Sequence, residues 1–330
     1  MTRILKTSAL ILVLMGLVLM VFTPSAQADK PIIIKAVAFL PLNVSDVKGL
    51  FMFADILKKN SQGALEIKII GGPEAIPPFN QFEATRKGVV DLMIAPESYF
   101  AAAVTKVPFG HLSKITPQEE RKRGLYDLRR ELLEKHNIYY LGKGQMGGNF
   151  YFWIKNPINA PKEMAGKKIR VSPFYIPFMK ALGASPVVLP PPEVYTALER
   201  GVVDGLGWPV SGVADNRWPE VCKYVIPYGV WQASVEILMN LETYKKIPEN
   251  LQKVLNDSMI QAELEIADYW SNEFEHEWER VLDAGVTRLH FSPEDAKYYT
   301  DLAYTSSWED VMKNIEPKDL GPKLEQLLAE

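Results

Sequence analysis

The chain has 330 residues, with 37 basic against 40 acidic side chains, a formal net charge of −3 and 47% hydrophobic residues. That length is too great for one small core and suits two lobes, and the mild acidity lacks the basic footprint that nucleic-acid binding needs. Cys222 is the only cysteine, so no intramolecular disulfide can form and stability has to come from apolar burial.

The first stretch reads MTRILKTSALILVLMGLVLMVFTPSAQADK. Arg3 and Lys6 make a basic start, Ala9 to Phe22 is apolar apart from Gly16, and Ala26-Gln27-Ala28 is a small-x-small cleavage site. This order predicts a secretory signal peptide over 1–28, removed after Ala28, and a mature protein exported to the periplasm. An uncleaved anchor is the alternative, but the run falls short of the roughly 20 residues that span a bilayer. No cysteine follows it to carry a lipid.

After the leader, short apolar runs alternate with amphipathic ones. Ile32 to Phe39 is β-rich, Val47 to Lys59 has helical spacing at Leu50, Phe53, Ala54 and Leu57, and Ala64 to Ile70 returns to strand. Gln81 to Lys87 reads as helix and Val89 to Ala95 as a buried strand. Such alternation implies parallel βαβ units. Thr116-Pro117-Gln118-Glu119 is a capping box that opens a helix expected to reach about His136. Ile138 to Gly142 is a strand, GKGQMGGN reads as a flexible crossover, and the aromatic, extended FYFWI (Phe150 to Ile154) begins a second βα series. In that series KKIRV, PVVL and VVDGLGW are strands, and FYIPFMKAL and EVYTALERG are helices.

Val235 to Asn240 is a further strand, and Pro248 to about Ala284 a long helix whose stripe is read as Leu251, Val254, Leu255, Met259, Leu264, Ile266 and Ala267. A helix of that length outruns one lobe and is expected to brace two. Ser292-Pro293-Glu294-Asp295 caps another helix. The two GVVD copies, Gly88 to Asp91 and Gly201 to Asp204, read as equivalent turns in two lobes.

Catalytic and metal patterns are weak. His111, His136, His276 and His290 lack zinc spacing, Cys222 has no motif around it, and no G-x-S-x-G, Walker or G-x-G-x-x-G element stands where it would work. The expectation is therefore no enzyme, no metal and no cofactor. A two-lobed α/β protein of this kind is most simply a binding protein. Arg170 sits between Ile169 and Val171 on a short strand, where it either pairs with an acid inside its lobe or waits for an anionic ligand.

Three blocks carry a specific likeness: PKEMAGKKIRV (Pro161 to Val171), FMKALGASPVVL (Phe178 to Leu189) and PEVYTALERGVVDGLGWP (Pro192 to Pro209). With GGPEAIPPFNQFEATRKGVVDLMIA and ILMNLETYKKIPENLQKVL in support, the chain resembles the substrate-binding proteins of tripartite ATP-independent periplasmic (TRAP) transporters. The resemblance implies an α/β fold of two lobes with the ligand cleft between them, joined by crossing strands and a long helix. Lobe I would hold 29–147 and about 232–270, and lobe II 148–231 and about 271–330.

It also implies that Arg170, at the family's KIR position, salt-bridges the carboxylate of an organic acid, a pairing for which a planar guanidinium is well shaped. Asn149 stands where many members carry a second charged or polar contact, and Trp208 where a polar one is common. Phe39, Tyr99, Trp208 and Trp231, each by a strand end or hinge, point to a flat, apolar pocket and a monocarboxylate with a planar or apolar body. Glu97 is a further candidate, as ligand acceptor or solvated loop charge. The implied partners are that small organic acid and the TRAP membrane permease, with the protein a monomer that binds no nucleic acid. A periplasmic enzyme of the same bilobal shape and a ligand-presenting sensor accessory are the rival readings.

Overall fold

A computed structural model describes residues 30–328. The leader and its cleavage after Ala28 lie outside the described residues. The strands in the first half are β1 (Ile32–Ala38), β2 (Leu65–Gly71), β3 (Leu92–Pro96), β4 (Ile138–Gly147) and β5 (Phe150–Ile154). The rest are β6 (Lys168–Val171), β7 (Ser185–Val188), β8 (Gly205–Pro209), β9 (Tyr224–Val230), β10 (Ala233–Asn240) and β11 (Thr287–Arg288).

They form two sheets, in the orders β2-β1-β3-β10-β4 and β11-β9-β5-β8-β6-β7. In the first, β1 runs parallel to β2 and β3, as the alternating helix–strand pattern requires, while β10 inserts antiparallel between β3 and β4. In the second, β6 is parallel to β7 and β8, and β5 is antiparallel to β8 and β9. The chain therefore crosses between sheets three times, from β4 to β5, from β9 back to β10, and from β10 through a long helix to β11. The first two crossings lie side by side, tied by the Ala233 amide donating to the Gly148 carbonyl at 3.0 Å.

Most predicted elements are present, and the differences have identifiable causes. The expected helix from Thr116 to His136 is two, Pro117–Arg123 and Leu125–Glu134, because Gly124 takes φ 87° and closes the first. Thr116 does cap it, accepting from the Glu119 amide at 3.2 Å. The segment read as a flexible crossover is mostly strand, since β4 continues to Gly147. Its glycines serve close packing. A Cβ on Gly144 would strike Ile94 and Ile237, and one on Gly49, in helix Lys48–Asn60, would overlap the Gly144 carbonyl. The backbone turns left-handed only at Gly147 and Gly148 (φ 71° and 68°), where the crossing begins.

The long helix runs Glu249–Asp283 and touches both lobes. Near its start, Asn256 accepts from the Tyr139 hydroxyl of the first lobe at 3.0 Å. Near its end, the Trp278 ring packs on Tyr151 and Trp153 of the second sheet, 4.8 and 5.8 Å between centroids. Its buried stripe differs from the reading at one place. Leu264 is 53% exposed, and the inward position four residues after Met259 belongs to Glu263. That carboxylate accepts from Arg121 Nε at 2.9 Å and the Lys143 amide at 3.0 Å.

The GVVD turns are structurally equivalent. Asp91 accepts the Lys35 amide on its carboxylate at 2.8 Å, and Asp204 does the same for Lys168, so each aspartate ties its turn to the neighbouring parallel strand.

In an exposed helix interior, glycine to alanine stabilises by up to about 1 kcal/mol. Gly49→Ala is expected to do the opposite, since its methyl meets a backbone carbonyl that cannot rotate away; a loss of roughly 1–3 kcal/mol follows from overpacking. A urea midpoint equal to or above that of the parent would contradict this packing.

Candidate ligand cleft between the two sheets

The C-terminal ends of parallel strands from both sheets converge on one place. β1 runs into Phe39, β3 ends at Pro96 before the turn Glu97–Tyr99, β6 runs into Ser172–Tyr175 and β8 ends at Trp208-Pro209. Between them lies a cavity of about 30 Å³, lined by Phe39 and Pro96 from one lobe, Ser172, Tyr175 and Trp208 from the other, and Ser234 on crossing strand β10. That is room for a water or two and no more, so the lobes stand closed and an organic acid enters only if they part or these side chains move.

Arg170 lies next to this cavity and is completely buried. Its Nε and Nη2 both donate to the Leu189 carbonyl, at 2.9 and 2.7 Å, and its guanidinium carbon is 5.2 Å from the centre of the Trp208 ring. Nη1 has no hydrogen-bond partner. Among the described residues no carboxylate comes within salt-bridge distance of Arg170, so the lobe-internal ion pair left open by the sequence is not formed. Burial raises the Tyr99 hydroxyl above its ordinary range against the opposing pull of Arg170 beside it, and does the same more strongly to Tyr175. Neither hydroxyl makes a hydrogen bond of good geometry, although Arg170 and Ser172 lie close enough to Tyr99 to pull its pKa down. The result is a buried cation with no carboxylate partner, beside the hydroxyls of Tyr99 and Tyr175.

Of the seven residues singled out in the sequence, Phe39 and Trp208 line the cavity, and Arg170 and Tyr99 stand directly behind that lining. The edge of the Phe39 ring meets Tyr99 at 5.9 Å, and Trp208 is set by its Nε1–H donating to the Ser211 carbonyl at 3.1 Å. Trp231 is one layer further back, fully buried against Phe174, Tyr175 and Phe178, with the left-handed φ of 53° that turns the chain out of β9. Asn149 is exposed on the crossing and packs against Gly229, because the left-handed turn at Gly147-Gly148 carries it away from the cavity.

Glu97 is also elsewhere. Its carboxylate accepts the Gly110 amide at 2.6 Å and faces Arg129 at 3.4 Å, and burial raises its pKa although Arg129 opposes this. It belongs to an inner charge network with Glu120, Glu236, Arg129 and Lys143, in which Lys143 donates to Glu120 at 2.6 Å. Lys143 on β4 and Glu236 on β10 place that network across the two crossing strands.

The sequence reading passed over Asp46, Gln145, Ser172, Tyr175 and Ser234, all of which line the cavity. Ser172 and Tyr175 had a usable signal, since they follow a parallel strand directly and ligands gather at such ends. Asp46 and Gln145 had none, for only packing brings them to the seam. Among the described residues there is no cluster of metal-ligating side chains and no helix long and apolar enough to cross a membrane.

Two α/β lobes on crossing strands, closed over a cleft with a buried cation at its wall, define a solute-binding protein. The model of bacterial extracellular solute-binding protein family 7 (DctP) matches residues 38–313, and the chain belongs to that family, the TRAP-type binding proteins. A monocarboxylate 2-oxoacid-binding periplasmic protein of Nostoc sp. is 22% identical over 82% of this chain and 78% of its own. The C4-dicarboxylate-binding periplasmic protein DctP of Rhodobacter capsulatus is 24% identical over 87% and 86%. In structure, a Bordetella pertussis extracytoplasmic solute receptor that binds pyroglutamic acid superimposes with a TM-score of 0.78 at 19% identity, covering 91% of this chain and all of the other.

His111 supplies a pH prediction. It is wedged between Phe174 and Trp231 with both nitrogens unpartnered, and burial drives its pKa down to about 3. The unfolded chain binds a proton near pH 6.5 that the folded chain refuses, so His111 makes stability fall as pH drops from about 6.5 towards 3, by up to about 1.4 kcal/mol per unit. His111→Phe should flatten that part of the urea stability profile; an unchanged slope would show the imidazole reaches water.

Proposed function

We propose that this protein captures an organic acid, a monocarboxylate with a planar or apolar body, on Arg170 between its lobes and delivers it to a TRAP-type permease. The observation that carries the reading is the fully buried guanidinium with Nη1 unpaired and no carboxylate in reach among the described residues. An isolated buried cation is costly, and an incoming carboxylate relieves that cost with charge-assisted bonds. The aromatic faces of Phe39, Trp208, Phe150 and Phe174 around the cavity suit a flat ligand body. Relatives named for a monocarboxylate 2-oxoacid and for pyroglutamic acid favour one carboxylate, while the one named for C4-dicarboxylates keeps the alternative in the test. In this reading lobe I is 29–147 with about 232–270 and lobe II 148–231 with about 271–330. The leader is cut after Ala28, and the exported protein works as a monomer in the periplasm.

The ligand leaves unchanged. Cys222 is buried with its thiol pushed up to about 12, and burial lowers His111 to about 3, too weak a base to take a proton near pH 7, so neither serves as nucleophile or base. Ligand closes the lobes by making contacts that exist only in the closed form.

The experiment is a thermal-shift screen of the mature protein with pyruvate, pyroglutamate, orotate, malate and succinate. At about a hundredfold excess over Kd a ligand adds roughly 2.7 kcal/mol, a rise of several degrees. A monocarboxylate should give the largest shift, and malate or succinate ahead of all others would overturn that preference. Arg170→Ala should weaken the best ligand at least tenfold to a hundredfold by calorimetry, the loss of a charged hydrogen-bond pair. Retained affinity would remove Arg170 from the site.

A further inference from the structure

Among the described residues Asp46 is the one acid that lines the cavity, and no cation is bonded to it there. It lies on the turn Ser45–Val47 of the first lobe, 1% exposed. Its Oδ1 accepts from Gln145 Nε2 on β4 at 3.2 Å and, across the seam, from the Ser211 hydroxyl of the second lobe at 3.0 Å. Its Oδ2 is buried without a partner, pressed against Gly212 where no Cβ would fit. Among the described residues no cation is paired with it. The charged groups acting on it most strongly are Asp215, on the loop after β8, and Glu277, on the long helix; both are acidic, Arg280 is engaged with those two, and Arg170 stands beside Tyr99 and Tyr175 with no bond to Asp46. On the cavity side it faces the neutral Tyr99 and Tyr175.

We propose that Asp46 is a proton-binding site that couples closure of the lobes, and with it ligand capture, to pH. The proposal rests on the closed-cleft reading above. With the lobes together, burial, with Glu277 and Asp215 adding to it, raises the carboxyl to about 7 against the opposing bonds from Gln145 and Ser211. Because Oδ1 already accepts two bonds, the proton sits on Oδ2. When the lobes part, Ser211 and Gly212 withdraw, water reaches the carboxylate, and it returns to the ordinary acidic range. Closing therefore takes up one proton between these limits. The closed form's advantage is complete below about pH 4 and is lost as pH rises through about 7. In the neutral-to-acid range the closed-to-open ratio grows by up to about tenfold per pH unit.

The test is small-angle X-ray scattering of the ligand-free mature protein from pH 8 to pH 5 at constant ionic strength. The radius of gyration should fall as pH drops through about 7. Asp46→Asn, which mimics the neutral acid, should be compact throughout. Ser211→Ala removes a bond that forms only between closed lobes and should leave the protein more open than the parent at neutral pH. A radius independent of pH in the parent, or the same profile in Asp46→Asn, overturns the proposal. Since no ligand is used, that failure leaves the role of Arg170 standing. Normal compaction alongside silence from every carboxylate would overturn the ligand reading alone.

Discussion

The structure turns on a positive charge that the fold buries and does not neutralise. Two nitrogens of Arg170 are held by the Leu189 carbonyl, which fixes the plane of the guanidinium, and the third is left unsatisfied in a site closed to water. A buried charge without a partner costs several kcal/mol by itself. Such a cost persists where an outside group is meant to relieve it, and the proposed ligand carboxylate is a group that would do so. Trp208, lying against the guanidinium, and Phe39, facing it from the other lobe, make the surroundings apolar, so an ionic contact formed there is screened far less than at a surface.

The elements around the cleft are those that join the two lobes. The lobes are joined by two adjacent crossings, where glycines and the left-handed Trp231 turn the backbone sharply, and by one helix long enough to pack on both sheets. The charge network of Glu97, Glu120, Glu236, Arg129 and Lys143 ties β4 and β10 together beside the two crossings, Gly147–Phe150 and Val230–Ala233. Seam contacts then form only between closed lobes: Asp46 with Ser211, and the Ser45 amide with Asp215 at 2.9 Å.

Much of this was legible in the chain. Periodicity marked the strands and helices because an α/β layer must bury one face of each element. The GVVD pair announced two equivalent turns because each aspartate ties its turn to the neighbouring strand. Arg170 stood out because an arginine on a core strand needs a reason. Misreadings came where one residue type serves two ends. Glycines in GKGQMG looked like slack but are room for helix Lys48–Asn60, and Leu264 looked buried because Glu263 held the inward place to meet Arg121.

By itself, then, the sequence determined the two-lobed α/β class, the family, the long brace and the arginine on a core strand, since local periodicity and a contiguous motif carry all four. Tertiary structure alone decided which aromatics face the cleft, that Asn149 and Glu97 lie off it, and that Asp46, Gln145 and Ser211 meet across the seam. The physical reason is that these contacts join residues far apart in the chain. A left-handed turn or a one-residue shift in a helix decides which way each side chain points, and no local pattern records the angle at which two lobes close.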